Sequence, residues 1–406
     1  MILNRLKRVF RHRSSVYLDY NATTNICKEV QKTMKRSMKH HWGNPSSGYR
    51  IGKKANKVLE QARTRVAKSI NARPHEIYFT SCATESNNAI LKSLSLQFYP
   101  KKKKIISTPI EHSSIIYTLE YLETQGIVVE NCPVDSYGFV QPEVLSSMID
   151  EDTFLVCCML ANNELGTVQN IKEISKIAKD KGVLILSDCV QALGKIPIDV
   201  RDLGVDYASF SAHKIYGPKG IGALYARITA PMIQFIHGGH QEEGLRGGTE
   251  SIHNIAGFGT ACQQIGILIQ KTEEMVELKD YFEREVKAIY PDVVINSPVV
   301  NGVSNTLSLS FPGIQNNELM MMLDSNGIAV SSGSACSSQE NKPSHVLKAI
   351  GLSDDVAQQT IRVSFGVDTT KKKLKYVLTV LEKYLKERAS SSDVPQRNFE
   401  MEKFAR

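Results

Sequence analysis

Between residues 76 and 226 short apolar runs alternate with amphipathic helical stretches, and polar residues follow the runs. The runs at 76–80, 105–107, 127–129, 153–160, 183–186 and 222–226 read as strands. Apolar residues three to four apart mark the helices; Ile51, Ala55, Val58, Leu59, Ala62, Val66 and Ile70 form one, and Ile171, Ile174, Ile177 and Ala178 another that stops at Gly182. This alternation predicts a mainly parallel sheet with helical crossovers, hence an α/β fold. Parallel strands bring their C-terminal ends to one edge, where α/β proteins keep their chemistry. His112, Asn163, Asp188 and Lys214 each follow a strand, so residues spread over a hundred positions are expected to meet there.

Lys214 sits in the stretch 209–222, directly after a β-like run and before a glycine-rich turn. A lysine amine at a strand end can form a Schiff base with an aldehyde cofactor, provided its pKa is depressed. Residues 81–88 follow a strand and lead into a helix, a geometry that offers free backbone N–H groups and a helix dipole to a phosphate, with the Thr84 hydroxyl beside them. The stretch 331–343 is small and polar around one thiol, Cys336, which is expected to be exposed on a mobile loop. The other cysteines, at 27, 82, 132, 157, 158, 189 and 262, form no CxxC pair and accompany no signal peptide. They read as free thiols in a reducing compartment, with no disulfide frame and no metal site.

A chain of 406 residues predicts two domains. Past the lysine stretch a long helical region at 252–290 reads as a bridge. Beyond it, strands at 305–311 and 361–365 and helices at 316–325 and 370–388 suggest a smaller α+β domain. The net charge of +8 is concentrated at the N-terminus and in 101–104, with no interleaved aromatics and no nucleic-acid-binding signature, so no direct nucleic-acid contact is expected. No apolar run is long enough to span a bilayer. The arginine-rich first thirteen residues fit either a transit peptide or a plain extension.

Ten blocks add a resemblance: YLDYNATT at 17–24, GNPSS at 43–47, FTSCATESNN at 79–88, EHSS at 111–114, ANNELG at 161–166, SDCVQALGK at 187–195, SAHKIYGPKGIGALY at 211–225, RGGT at 246–249, SSGSACSS at 331–338 and IRVSFG at 361–366. In this order they resemble the NifS/IscS cysteine desulfurases of the class V aminotransferase superfamily, and they cover nearly the whole chain. The resemblance implies a pyridoxal-phosphate-dependent transferase of fold type I. Its parts would be a basic extension at 1–15, a large cofactor-binding domain at 16–260 with a mainly parallel seven-stranded sheet, a smaller α+β domain at 261–390 carrying Cys336, and a polar tail at 391–406.

By motif match, the resemblance makes Lys214 the cofactor-bearing lysine, Asp188 the partner of the pyridinium nitrogen and His112 the residue stacked on the ring that assists proton movement. Asn163 and Gln191 would bond near the ring oxygen. Ala83, Thr84, Ser211 and His213 would hold the phosphate, with Thr249 reaching over from the other subunit of a homodimer. Arg362 would clamp the substrate carboxylate together with Asn163, and Cys336 would take sulfur from L-cysteine as a persulfide, releasing alanine. The implied acceptor is an iron–sulfur scaffold or a tRNA-thiolation enzyme, and the implied location the cytoplasm, or a mitochondrion-type organelle if the N-terminus is a transit peptide. The competing readings are a selenocysteine lyase or another class V enzyme, and a non-catalytic sulfur-relay adapter. Two positions depart from the family pattern: Cys82 and His240 stand where glycine is usual.

Overall fold

The computed structural model describes residues 16–333 and 343–391. Its first strand, β1 (Val16–Tyr17), is followed by the helices Lys28–His40 and Arg50–Ser69. Then come β2 (Ile77–Thr80), β3 (Lys104–Ser107), β4 (Val128–Asn131), β5 (Thr153–Cys157), β6 (Leu184–Asp188), β7 (Tyr207–Ser211) and β8 (Gly222–Ala226). These seven strands form one sheet in the order β2-β8-β7-β6-β5-β3-β4. All neighbours are parallel except β8, which runs against both β7 and β2. The expected mainly parallel seven-stranded sheet is therefore present.

Side-chain alternation explains how the sheet is covered. Ile105, Leu155, Leu186, Tyr207 and Leu224 point to one face, where the helices Ala83–Phe98 and Ser113–Glu123 supply Ile90, Leu91, Leu94, Ile115 and Leu119. Ile106, Val156, Ile185, Ala208 and Ala223 point to the other, under Leu59, Ala62, Ile174 and Phe258. Both faces are buried, which is why these strands read as nearly continuous apolar runs rather than as alternating ones. The run at 153–160 is shorter as a strand than it looked: β5 ends at Cys157, and 158–160 stay buried in extended loop.

The helical bridge is three helices, Ile252–Gln263, Ile265–Gln270 and Thr272–Ile289, separated by tight breaks at Gln264 and Lys271. Beyond it β9 (Val294–Ile295), β10 (Thr306–Ser310), β11 (Ile328–Ala329) and β12 (Thr360–Ser364) complete the strands. β10 pairs antiparallel with β9 and β12, and β1 pairs in parallel with β11. Val16 and Leu18 lie in the core of this second body with Leu307, Leu309, Phe311, Ile361 and Val363. The segment from residue 16 therefore begins on the smaller body before joining the larger one, because β11 offers a strand edge that only a distant segment can pair. The helix Lys371–Ser391 closes that core with Leu374, Val377, Leu378 and Leu381. Among the described residues no helix is long and apolar enough to cross a membrane.

Candidate active site

β3, β5, β6 and β7 are consecutive parallel neighbours, and each strand's C-terminal end opens on the same edge. β2 runs in their direction, since it is antiparallel to β8, so the helix that follows it starts at that edge too. A cavity of about 250 Å³ lies there. His112, Asn163, Asp188 and Lys214 line it, as expected from the strand ends, together with Ala83, Thr84, Gln191, Ser211 and His213. Arg362 arrives from the second body. On β12 the residues Ile361 and Val363 enter the core, so period-two alternation turns Arg362 the other way, toward the cavity. Thr249 is exposed and lines a neighbouring cavity of about 150 Å³ with Arg246. Cys336 lies outside the described residues.

The anion cup takes its form from the start of the 16-residue helix Ala83–Phe98. Its first backbone N–H groups have no intrahelical acceptor and face the cavity end, where a phosphate is favoured. Cys82, at the N-cap, has φ −173°, extended backbone open to any residue, so glycine is not needed there. The close approach falls instead on Gly222, where a Cβ would come 2.7 Å from both the Cys82 carbonyl carbon and the Phe210 oxygen. His213 places Nδ1 3.1 Å from the Thr23 hydroxyl. Burial, then the charges of Lys214 and Lys219, push its pKa down to about 4, so it offers the cup a hydrogen bond rather than a charge.

Deeper in, Asp188 is 4% exposed, and its carboxylate accepts from Asn87 Nδ2 at 3.0 Å and Val190 N at 2.9 Å. Among the described residues no Lys, Arg or His forms an ion pair with it. A buried carboxylate held by neutral donors alone is suited to a cationic ring nitrogen. The same Asn87 Nδ2 donates to Ser114 Oγ at 2.9 Å, and Ser114 Oγ lies 2.9 Å from His112 Nδ1. Ser114 N also donates to Nδ1, at 3.1 Å. Nδ1 is thus an acceptor, which leaves the proton of a neutral imidazole on Nε2. Burial lowers the His112 pKa, Asp188 opposes and Lys214 adds to the fall, so the ring is neutral near pH 7, the form that can lie flat on another ring without charge cost.

Lys214 Nζ donates to the Asn21 carbonyl at 2.5 Å and to the Ala22 carbonyl at 2.8 Å. Arg362 is 2% exposed, donates from Nη2 to Asp19 Oδ1 at 2.7 Å and from Nη1 to the Asn163 carbonyl at 3.2 Å, and among the described residues its Nε has no acceptor. That spare donor on a buried guanidinium is what a substrate carboxylate requires. The residues present therefore fit pyridoxal phosphate: a covalent-bond-forming amine, an anion cup and a deep carboxylate with no cation of its own.

The matching family model is aminotransferase class-V, over residues 16–377. This chain belongs to the class-V aminotransferase family. It is 43% identical over 382 residues to the cysteine desulfurase IscS of Dictyoglomus turgidum, covering 94% of this chain and 97% of that protein. A solved NifS-like protein superposes with a TM-score of 0.87 at 40% identity, covering 92% of this chain and all of the other. A structure described as SspA in complex with cysteine superposes with a TM-score of 0.78 at 35% identity, covering 86% and 99%. Class-V membership makes this chain a pyridoxal-phosphate enzyme of fold type I, as the ten blocks implied.

Two features of this class-V site escaped the sequence reading. Asn87 stands one helical turn past Thr84, within the quoted block at 79–88, and its spacing alone would have placed it on the cavity face. Glu111 sits beside His112 and is fully buried; its Oε1 accepts from Thr108 Oγ1 at 2.7 Å and Met159 N at 2.8 Å, while among the described residues Oε2 has no donor. Burial pushes its pKa up from 4.5 to about 7, against those two bonds and with a smaller push from Asp188. Between these values the folded state holds a proton that the unfolded state releases, so stability falls as pH rises from 4.5 toward 7. Glu111→Gln keeps the acceptor and cannot ionise. Relative to the unmutated protein it should gain up to about 3 kcal/mol between pH 5 and pH 8, read from denaturant unfolding at both; equal stability differences at the two pH values would refute the shift.

Proposed function

We propose that this enzyme is a cysteine desulfurase that converts L-cysteine to L-alanine and carries the sulfur away as a persulfide on Cys336. The observation that carries this reading is the junction at Arg362. Ser331 exchanges backbone hydrogen bonds with Arg362, at 3.1 and 2.6 Å, so the segment that leads to Cys336 leaves from beside the carboxylate clamp. It returns at Ser344, whose hydroxyl donates to Glu164 Oε2 at 2.6 Å, one residue from Asn163. Both ends of the segment that carries Cys336 are thus anchored beside the cavity, which supports sulfur chemistry there.

When bound, pyridoxal phosphate supplies an electron sink next to the substrate Cα. Lys214 would hold the cofactor, and its amine is the base that would accept the Cα proton. Asp188 would hold the ring nitrogen, and Asn87, bonded to both Asp188 and Ser114, would keep His112 over the ring with its proton on Nε2. Arg362 takes the substrate carboxylate, which aims the substrate side chain. The Cys336 thiolate attacks the substrate sulfur: an S–S bond forms, the C–S bond breaks, and its electron pair returns to the carbon, which is protonated to give alanine. Balance is L-cysteine plus enzyme thiol giving L-alanine plus enzyme persulfide. The exposed Thr249 supports a homodimer in which this segment serves the other copy's cup, and delivery to an iron–sulfur scaffold or a tRNA-thiolation enzyme in the cytoplasm or a related organelle completes the reading.

The test is incubation of the cofactor-loaded protein with L-cysteine, with alanine release and the mass of the Cys336 peptide measured together. One alanine per added sulfur in the first turnover is expected. Alanine without sulfur on Cys336, or no alanine, would sink the proposal.

A further inference from the structure

Lys195 closes the block at 187–195 and has no part in the mechanism above. Its Nζ donates to Asn21 Oδ1 at 2.7 Å and to Gln191 Oε1 at 2.5 Å. The residue as a whole is half-buried, yet its amine end is enclosed, with a small cavity of about 30 Å³ behind it that Lys214 also lines. Among the described residues no carboxylate pairs with it. Burial, then the charges of Lys214 and Arg362, hold its pKa well below the ordinary lysine value. An enclosed amine with no counter-charge is a poor stabilising device; an apolar side chain of the same length would fill the space without that cost.

The hydrogen bonds say what the amine is for. Whether charged or neutral, it has N–H bonds enough for both amide oxygens. With Oε1 turned to Lys195, Gln191 must present its NH₂ the other way, where it donates to the Asn21 carbonyl at 3.0 Å. With Oδ1 turned to Lys195 and to Asn305 Nδ2, at 3.0 Å, Asn21 must send its own NH₂ to the Asn163 carbonyl and to Thr306 Oγ1, at 3.0 and 2.8 Å. The same Asn21 carbonyl receives Lys214 Nζ. Gln191 and Asn21 both line the catalytic cavity, and Lys195 touches them from behind.

We infer that Lys195 is a positioning residue of this site, an amine that orients the amides of Gln191 and Asn21 so that Gln191 faces the cavity as a donor and the Asn21 carbonyl stays beside Lys214. The inference rests on the reading of the cavity as the pyridoxal-phosphate site. Removal of Lys195 takes away one of the two bonds that fix the Gln191 amide and leaves only its donation to the Asn21 carbonyl, so the donor facing the cavity is held less firmly.

The experiment is a double-mutant cycle read on the dissociation constant of pyridoxal phosphate, measured by equilibrium dialysis of the full chain, with circular dichroism on each variant. Lys195→Met is expected to raise the constant about tenfold in the unmutated background and by a clearly smaller factor in Gln191→Ala, because the part of its effect that runs through Gln191 is then gone and only the part through Asn21 remains. Equal increases in the two backgrounds, or no increase in either, overturn the inference. Should Lys195→Met not fold, Lys195→Gln takes its place under the same criteria, since its amide both donates and accepts and cannot enforce one orientation. Failure of the unmutated chain to bind the cofactor at all would instead overturn the pocket reading.

Discussion

Lys214→Ala is expected to yield a folded protein that binds pyridoxal phosphate reversibly, resists borohydride fixation of it, and turns over L-cysteine at least about 10³-fold more slowly. The expected loss is large because the proposed mechanism gives this one amine two duties, covalent attachment and acceptance of the Cα proton. Lys195 is the nearest alternative amine, but its bonds to Asn21 Oδ1 and Gln191 Oε1 hold it behind those residues rather than in the cavity. The fold should survive. The pairing of β7 with β8 through Ser211 and Gly222, and the burial of Ile215 and Tyr216, do not involve the Lys214 side chain. Cofactor fixed by borohydride and recovered on a peptide other than that of residue 214 would remove Lys214 from its role.

Cys336→Ser should abolish persulfide on the enzyme and lower alanine production at least about 10²-fold while cofactor uptake is unchanged. The remaining thiols explain why no substitute is at hand. Cys157, Cys158, Cys189, Cys132 and Cys262 are buried, and burial raises the thiol pKa of each, of Cys132 to about 11 and of Cys262 to about 12. Thiols in that state are poor nucleophiles at neutral pH. Cys82 is the informative control, because it lines the cavity at the phosphate end. Cys82→Ala should leave the persulfide intact, and a persulfide that follows Cys82 instead of Cys336 would move the sulfur chemistry to the cup.

The convergence of His112, Asn163, Asp188 and Lys214 was legible before any coordinates, since apolar runs of strand length joined by helical crossovers have one arrangement open to them. The cup at 81–88 was legible for a similar local reason: a strand, a small-residue turn and a helix start occur in sequence. Other features carried no such signal. The bridge at 252–290 reads as continuous apolar periodicity, and the two breaks depend on backbone angles at Gln264 and Lys271 that no glycine or proline announces. The pairing of β1 with β11 joins Val16 to Ile328, and two-residue strands that far apart leave no pattern to recognise.

The amino-acid order thus suffices for the sheet, for the edge at which His112, Asn163, Asp188 and Lys214 meet and, through ten ordered blocks, for the family. These follow from short-range periodicity and from the handedness of parallel crossovers, which are encoded in neighbouring residues. Packing in three dimensions brings Asn21 to Lys214, Gln191, Lys195 and Asn305, couples Asp188 to His112 through Asn87, and brings Arg362 in from the second body beside Asp19. Those contacts link residues separated by up to 343 positions through side-chain hydrogen bonds. Such bonds depend on where two packed bodies meet, and local sequence carries no record of that distance.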